Sequence, residues 1–529
     1  MTTRSVLVHL PGFPLDTGHL MPQRDLACMA SALLESGHWT RVLDYGTLSA
    51  TEVLSASNDE IDGVERRRAE LVADINALAP LDFAVFQVRT RADYGEALQA
   101  GRRLRELPHA PKLFLRGDFA AGYGGMLLLA DDAFDGVLRG DAADSLPALA
   151  AWLLHPGADV PVPFLIYRAG QRLQAAQPRL LKRGSAVTPC YDPDVYPAVS
   201  EEEKFLFFSV GPGSCAGSIG RDGVHNVWQP WHTSAGAAVR AREEMQSIAK
   251  VWGGAAFHLS GVALTLAGQE RVARELLEHG CRYPFSAIGH LGADAPQVLP
   301  LLRRAGCEAL QFDVRTGSQI LQDDFYGSGH RMSCAEESLS ACHDNGMLAH
   351  VALTYPCPWD DHHTVEETLR FLRRCRPETA TLTMPELREG SVWWQQPSTY
   401  GFRVNQRSIL RWLGAAACSQ AEGPIVDEVP YRMRGWPARR IMTARRHIVS
   451  GMRRLGVARC GMAHTAMIAR ISGYRGDEGA YGAILSGLLS RGETSALRGL
   501  VREFNASVMG MVRDQACVPF RPALEAVGN

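Results

Sequence analysis

Tyr355, His290 and Arg315 stand out as side chains able to do chemistry, because each follows an apolar run of strand length. Tyrosine and histidine can each give or take a proton. Arginine can clamp a carboxylate through two parallel hydrogen bonds. The plainer roles are a packed aromatic for Tyr355 and an ion pair with Asp313 or Glu386 for Arg315. His258 lies inside the run Ala255–Leu259. It would serve as a base or a metal ligand, although a lone strand histidine is more often a hydrogen-bonded core residue. His362 and His363 follow Asp360 and Asp361, a metal-like grouping. They sit just before a helix, so solvated loop polarity is the favoured reading, and no metal site is assigned. Trp393 and Trp394 suit either a ligand face or ordinary packing.

A second candidate is the stretch Ser209–Gly220. Its glycines 211, 213, 217 and 220 leave backbone N–H groups open to close approach. Such a loop either binds an anionic group or is simply relaxed.

These residues need elements to hold them. Ser5–Leu10, Thr40–Leu43, Phe83–Val88, Lys112–Leu115 and Phe134–Leu138 read as short buried strands, with helical periodicity between them. Alternation of this kind gives a parallel sheet covered on both faces. Ligands then sit beyond the carboxyl ends of the strands. The loops 11–19, 89–91, 116–119 and 139–141 therefore share one rim. Residues 1–154 form this domain. Residues 155–204 are a proline-rich linker in which Val162–Gln174 suggests a hairpin turning at Ala169–Gly170. The segment 50–80 is polar and helical in composition, with no assigned role.

A second series of strand–helix pairs occupies 205–400. Its strands are expected at 205–210, 255–259, 285–288, 309–314, 348–353 and 380–383. Ser333-x-x-Glu336 and Thr364-x-x-Glu367 read as capping boxes that start two of its helices. Six such units make a partial (β/α)6 barrel with chemistry at the carboxyl ends of its strands. On this reading Tyr355 points into the barrel mouth and His290 lies at its rim. Residues 401–529 read as mostly helical, and Arg439–Arg453 as a basic amphipathic stretch with an apolar seam of Ile441, Ile448 and Met452.

Composition narrows the function classes. The 529 residues are 46% apolar and 21% charged, with a formal net charge of -2. That balance gives no reason to expect nucleic acid or an acidic membrane as partner. There is no apolar run of about 18 residues that would span a membrane. Met1–Leu10 lacks a signal-peptide layout, so the expected location is cytoplasmic. None of the 12 cysteines forms a C-x-x-C pair, and most read as small buried apolar residues.

Three runs in the first half carry a resemblance: Ser-Gly-His-x-x-Arg-Val-Leu-Asp at 36–44, Lys-Leu-Phe-Leu-Arg-Gly-Asp at 112–118 and Phe-Asp-Gly-Val-Leu-Arg-Gly-Asp at 134–141. They are similar to the cobalamin-binding domain of cobalamin-dependent radical SAM enzymes. In the second half, Ala305-Gly306-Cys307, Phe312–Gln319 and Thr354-Tyr355-Pro356 resemble the radical SAM barrel. The implied architecture is α/β: a Rossmann-like, flavodoxin-like cobalamin-binding domain, the partial barrel and a helical C-terminal region. The resemblance implies that Pro11, His19, Arg89, Thr90, Gly117, Asp118 and Gly140 contact cobalamin. No Asp-x-His-x-x-Gly motif is present, so a histidine on cobalt is not expected.

The family's Cys-x-x-x-Cys-x-x-Cys motif is absent. Its place is taken by Ser209–Gly220, with Cys215 alone. A four-iron cluster needs several thiolates, so no iron–sulfur cluster is expected. S-adenosylmethionine stays a candidate cofactor, although Arg315 stands where the family often has an acidic residue. The resulting expectation is a methyltransferase acting on a small molecule by non-radical cobalamin chemistry, in specialised metabolism. A reductase or other partner protein is a candidate companion. Two alternatives stay open: a barrel repurposed for other cobalamin chemistry without S-adenosylmethionine, and a non-catalytic cobalamin-binding or partner protein.

Overall fold

The computed structural model describes all residues except 1, 13–14, 56–59, 141, 156–161, 171, 177–186, 212–235, 261–264, 324–330, 417–428, 460–463 and 517–529. The first sheet begins with β1 (Arg4–His9), β2 (Trp39–Asp44), β3 (Phe83–Gln87), β4 (Lys112–Arg116) and β5 (Gly136–Leu138). Branched and aromatic residues face both ways along β1 and β3, which suits strands covered by helices on both sides. The parallel order is β2-β1-β3-β4-β5, so the chain reverses its direction of travel between β1 and β3. That is the topological switch point, where the crevice opens in such sheets. The hairpin of β6 (Leu165–Ala169) and β7 (Arg172–Ala175) joins antiparallel beside β5. The proline-rich stretch thus extends the first sheet.

The second sheet comprises β8 (Phe207–Val210), β9 (Ala256–Leu259), β10 (Phe285–Gly289), β11 (Cys307–Arg315), β12 (Leu348–Thr354) and β13 (Thr379–Thr383). Each pairs in parallel with the next. A small antiparallel ribbon follows, β14 (Phe402–Val404) with β15 (Tyr431–Met433). The last strand, β16 (Ala458–Arg459), adds a seventh parallel strand beside β13. The C-terminal region therefore supplies a strand and a ribbon as well as helices.

Phe208, Phe257, Phe312 and Val351 face the outer helices and are fully buried. At the amino ends of the strands, Phe207, Ala256, Ala309 and Leu348 face the other way. They pack against the helices His464–Ile471, Glu478–Arg491 and Thr494–Ala516, which close the barrel from below. Helix Ala438–Arg454 buries the expected seam of Ile441, Ile448 and Met452. It crosses helix His362–Cys375 at Gly451, where a Cβ would lie 2.5 Å from Leu369.

Neither capping box starts its helix as expected. One helix starts at Met332 behind Arg331, which makes no side-chain cap, so Ser333 lies within the first turn. The other is capped by Asp361, whose carboxylate accepts the backbone N–H groups of His363 and Thr364, while Thr364 closes the box in return. No helix among the described residues is long and apolar enough to cross a membrane.

Candidate functional site between the two rims

The carboxyl ends of the two sheets face each other, and charged contacts join them. Arg24, which opens the helix after β1, donates through Nε to the Gly211 carbonyl just past β8 at 2.6 Å. Its two terminal nitrogens meet the Glu244 carboxylate at 2.7 and 3.1 Å. Arg91, opening the helix after β3, donates to the Trp412 carbonyl at 3.0 and 2.8 Å and stacks on its ring. Beyond β13, the Glu389 N–H donates to the Gly122 carbonyl at 2.7 Å, and a Cβ on Gly122 would strike Arg388 at 2.9 Å.

At the switch point, polar groups gather under the loop after β1. Asp93 accepts the N–H groups of Gly12, Arg89 and Thr90 at 2.9, 3.0 and 3.0 Å. Burial opposes its ionisation, but His19 and Arg89 hold its carboxyl below the ordinary range. His19 accepts the Asp16 N–H on Nδ1 at 2.9 Å, so in the neutral ring the proton is on Nε2. Burial lowers this imidazole to about 4. His9, the last residue of β1, pairs through Nδ1 with Asp44 at 2.7 Å. The Tyr196 hydroxyl and Lys204 Nζ meet the other oxygen of Asp44 at 2.5 and 2.9 Å.

Several buried atoms here lack a hydrogen-bond partner: Nε2 of His9, Nε2 of His19, Nε of Arg89, and Nε and Nη1 of Arg67. The Arg67 Nη2 donates to the Pro11 carbonyl at 2.6 Å. Orphaned polar atoms of this kind are rare in folded proteins. Their concentration at the ends of β1 and β3 fits a large ligand rich in hydrogen-bonding groups.

The barrel lumen is different in character. Along β9–β13 the inward residues His258, Gln311, Ala352 and Thr381 are only partly buried, whereas their outward neighbours are almost wholly buried. Nearer the rim, Asp313 and Thr383 are exposed. The inner face is thus open toward the first domain and closed by the C-terminal helices. On its floor, His258 Nδ1 meets Ser286 Oγ at 2.9 Å, and the same hydroxyl lies 3.4 Å from His464 Nδ1. His350 is held at both nitrogens by Thr379 and Thr381, each at 2.8 Å.

The residues singled out from the sequence fall into three groups. Pro11, His19, Arg89, Thr90, Gly117, Asp118 and Gly140 all lie along the rim of the first sheet. Thr90 uses its hydroxyl to cap the following helix by accepting the Asp93 N–H. Gly117 has φ +111°, and a Cβ there would lie 2.3 Å from the Val88 carbonyl oxygen, which admits only glycine. Burial raises the carboxyl of Asp118 above its ordinary value, with Arg388 opposing. Gly140 is buried against Phe164.

His290 and Arg315 make up the second group, at the barrel rim. His290 directly follows β10 and is partly buried. Arg315, at φ +63°, pairs with Asp313 at 3.1 Å, while Glu386 pairs with Arg388. Tyr355 forms the third group and departs from expectation. Thr354 takes the lumen face beside Thr383, so Tyr355 turns outward into the core, 2% exposed. Alternation of strand side chains enforces this. Burial, with Asp360 adding to it, pushes its phenol above the ordinary value, so it stays protonated. Trp393 is fully buried. No group of three potential metal-ligating side chains occurs among the described residues, and His362 and His363 merely open a helix. Cys215 and glycines 213, 217 and 220 lie outside the described residues.

Sequence reasoning missed His9, Asp44, Lys204, Tyr196, Asp93, Ser286 and His464. Asp44 alone had a signal, as the last residue of the Arg-Val-Leu-Asp run.

No protein-family model matches the chain, and no curated protein matches it. Solved structures do. TsrM from Kitasatospora setae is described as a radical S-adenosylmethionine methyltransferase with cobalamin and a [4Fe-4S] cluster bound. It matches at TM-score 0.58 and 14% identity over 98% of this chain and 100% of that one. The same protein with tryptophan substrate and a SAM analogue matches at TM-score 0.60, with the same identity and coverage. OxsB, a cobalamin-dependent S-adenosylmethionine radical enzyme with aqua-cobalamin and S-adenosylmethionine bound, matches at TM-score 0.56 and 10% identity over 97% and 80%. The chain thus has the two-part fold of the cobalamin-dependent radical SAM proteins, a cobalamin-binding-type α/β domain set rim to rim with a radical-SAM-type barrel.

Proposed function

We propose that this chain is an enzyme that holds cobalamin between the two rims and transfers a methyl group to a small molecule, without reductive cleavage of S-adenosylmethionine. The observation that carries the reading is the cluster of orphaned buried polar atoms at the switch point, directly opposite an open barrel lumen. The crevice residues His19, Arg89, Arg67 and Asp118 would hold the cofactor. Bound cobalamin supplies a centre able to accept and give up a methyl group, while the protein supplies binding and orientation.

The chain's own residues then have separable tasks. Arg24 with Glu244, and the Glu389 N–H with the Gly122 carbonyl, hold the rims at a fixed spacing. His290 and Arg315 position the substrate at the barrel rim. The lumen receives the rest of it. In support of the non-radical route, Ser209–Gly220 offers one thiol where a cluster needs several. A reductase partner and a small-molecule substrate belong to the same reading.

Cobalamin-loaded, iron-free protein, reduced with a low-potential chemical reductant such as titanium(III) citrate and incubated with S-adenosylmethionine labelled on its methyl group, tests the proposal. S-adenosylhomocysteine is expected to form, with the label passing to the cofactor and without release of 5′-deoxyadenosine. Stoichiometric 5′-deoxyadenosine, or no calorimetric binding of S-adenosylmethionine to the loaded protein, would overturn it.

A further inference from the structure

The floor of the lumen carries a hydrogen-bonding device that the proposed function does not assign. Ser286 on β10 projects between His258 on the neighbouring strand and His464 at the start of the closing helix. The two rings lie 4.5 Å apart, at 65° to each other. A serine hydroxyl has one hydrogen to give. The Ser286 hydroxyl makes no other hydrogen bond among the described residues, so its hydrogen goes to one Nδ1 and its oxygen accepts the N–H of the other. The two neutral rings are therefore fixed in opposite tautomers. One Nε2 is a donor and the other an acceptor.

Charge is nearly absent from this chamber. Asp313 and Arg315, which pair with each other at the rim, are the only carboxylate and the only cation on the inner face of β8–β13 among the described residues. Burial lowers His258 to about 4, and burial, with His258 and His350 adding to it, holds His464 well below its ordinary value, so both rings stay neutral near pH 7. A charged group brought to this floor would find no counterion and would lose its hydration. His350 is already satisfied at both nitrogens.

Resting on the lumen as the substrate chamber, we propose that His258, Ser286 and His464 form the specificity floor of the site. They select an uncharged group that presents a donor and an acceptor together, as in an amide, a lactam or an N–H heterocycle.

Benzamide, benzoate and benzamidinium share one shape and differ in charge. Titrated into cobalamin-loaded protein, benzamide is expected to bind at least about ten-fold more tightly than either ion. His258→Phe, which keeps the ring volume, should lose about ten-fold for benzamide. Ser286→Ala, which frees the tautomers, should lose several-fold. Equal binding of the ions, unchanged binding in both variants, or no binding of benzamide to the parent protein would each overturn the proposal. Cobalamin retention, read from the absorption spectrum of the same samples, reports separately on the proposed function and shows that each variant is folded. Either idea can thus fail alone.

Discussion

Lys204→Met is expected to destabilise the protein by about 3–5 kcal/mol, the usual cost of leaving one member of a buried ion pair alone. Lys204 and Asp44 are both fully enclosed and 2.9 Å apart. The ammonium also donates to the carbonyls of His19, Met21 and Gly46 at 3.1, 3.3 and 2.5 Å. It therefore ties the end of β2 to the loop after β1 and to the start of the barrel domain. Although burial opposes ionisation of Asp44, Lys204 and His9 hold its carboxyl well below the ordinary carboxylate range. Methionine fills the volume but leaves that carboxylate with His9, Tyr196 and the Gly46 N–H only. Urea unfolding should show the loss. In the double variant with Asp44→Asn the combined cost should fall below the sum of the single costs. Strict additivity would contradict the pairing.

The second large effect is a pH dependence. His350 is buried, and burial lowers it from the ordinary 6.5 to about 3. The folded protein therefore leaves the ring neutral down to that pH, while the unfolded chain protonates it near 6.5. Between these values the unfolded state binds more protons, so stability falls as pH falls, by about 1.4 kcal/mol per pH unit for this group. The contribution is fully present above 6.5. His350→Gln keeps a donor and an acceptor for Thr379 and Thr381 but cannot titrate. The variant should be less stable than the parent at pH 7.5, and the gap should close by about 2–3 kcal/mol on going to pH 4.5. Parallel stability profiles would contradict the burial argument.

Much of the fold was legible because period and length are local properties. β1, β3 and β4 are apolar runs bounded by turn residues, and their observed limits fall within a residue or two of the expected ones. Helix starts were less legible, because capping depends on backbone geometry that a four-residue pattern does not contain. Ser333 matches the pattern yet sits inside the helix, while Asp361, one turn earlier than Thr364, does the capping.

The rim loops followed from the alternation of strands and helices, and the residues singled out in them from the family resemblance. The polar interior did not, since its parts come from distant segments: Tyr196 reaches Asp44 across 152 residues, and His464 reaches Ser286 across 178. A C-terminal region read as a separate helical unit could not announce that its helix plugs the barrel. Tyr355 was misplaced by one step along its strand, and one step reverses the face.

The central claim is a cobalamin seat formed by the two facing rims. Cobalt and iron content should be measured, together with the absorption spectrum, on protein made with the vitamin supplied and purified without oxygen. About one cobalt per chain with a corrin spectrum and no iron is the predicted result. Cobalt-free protein, or stoichiometric iron and sulfide in an active sample, would contradict it.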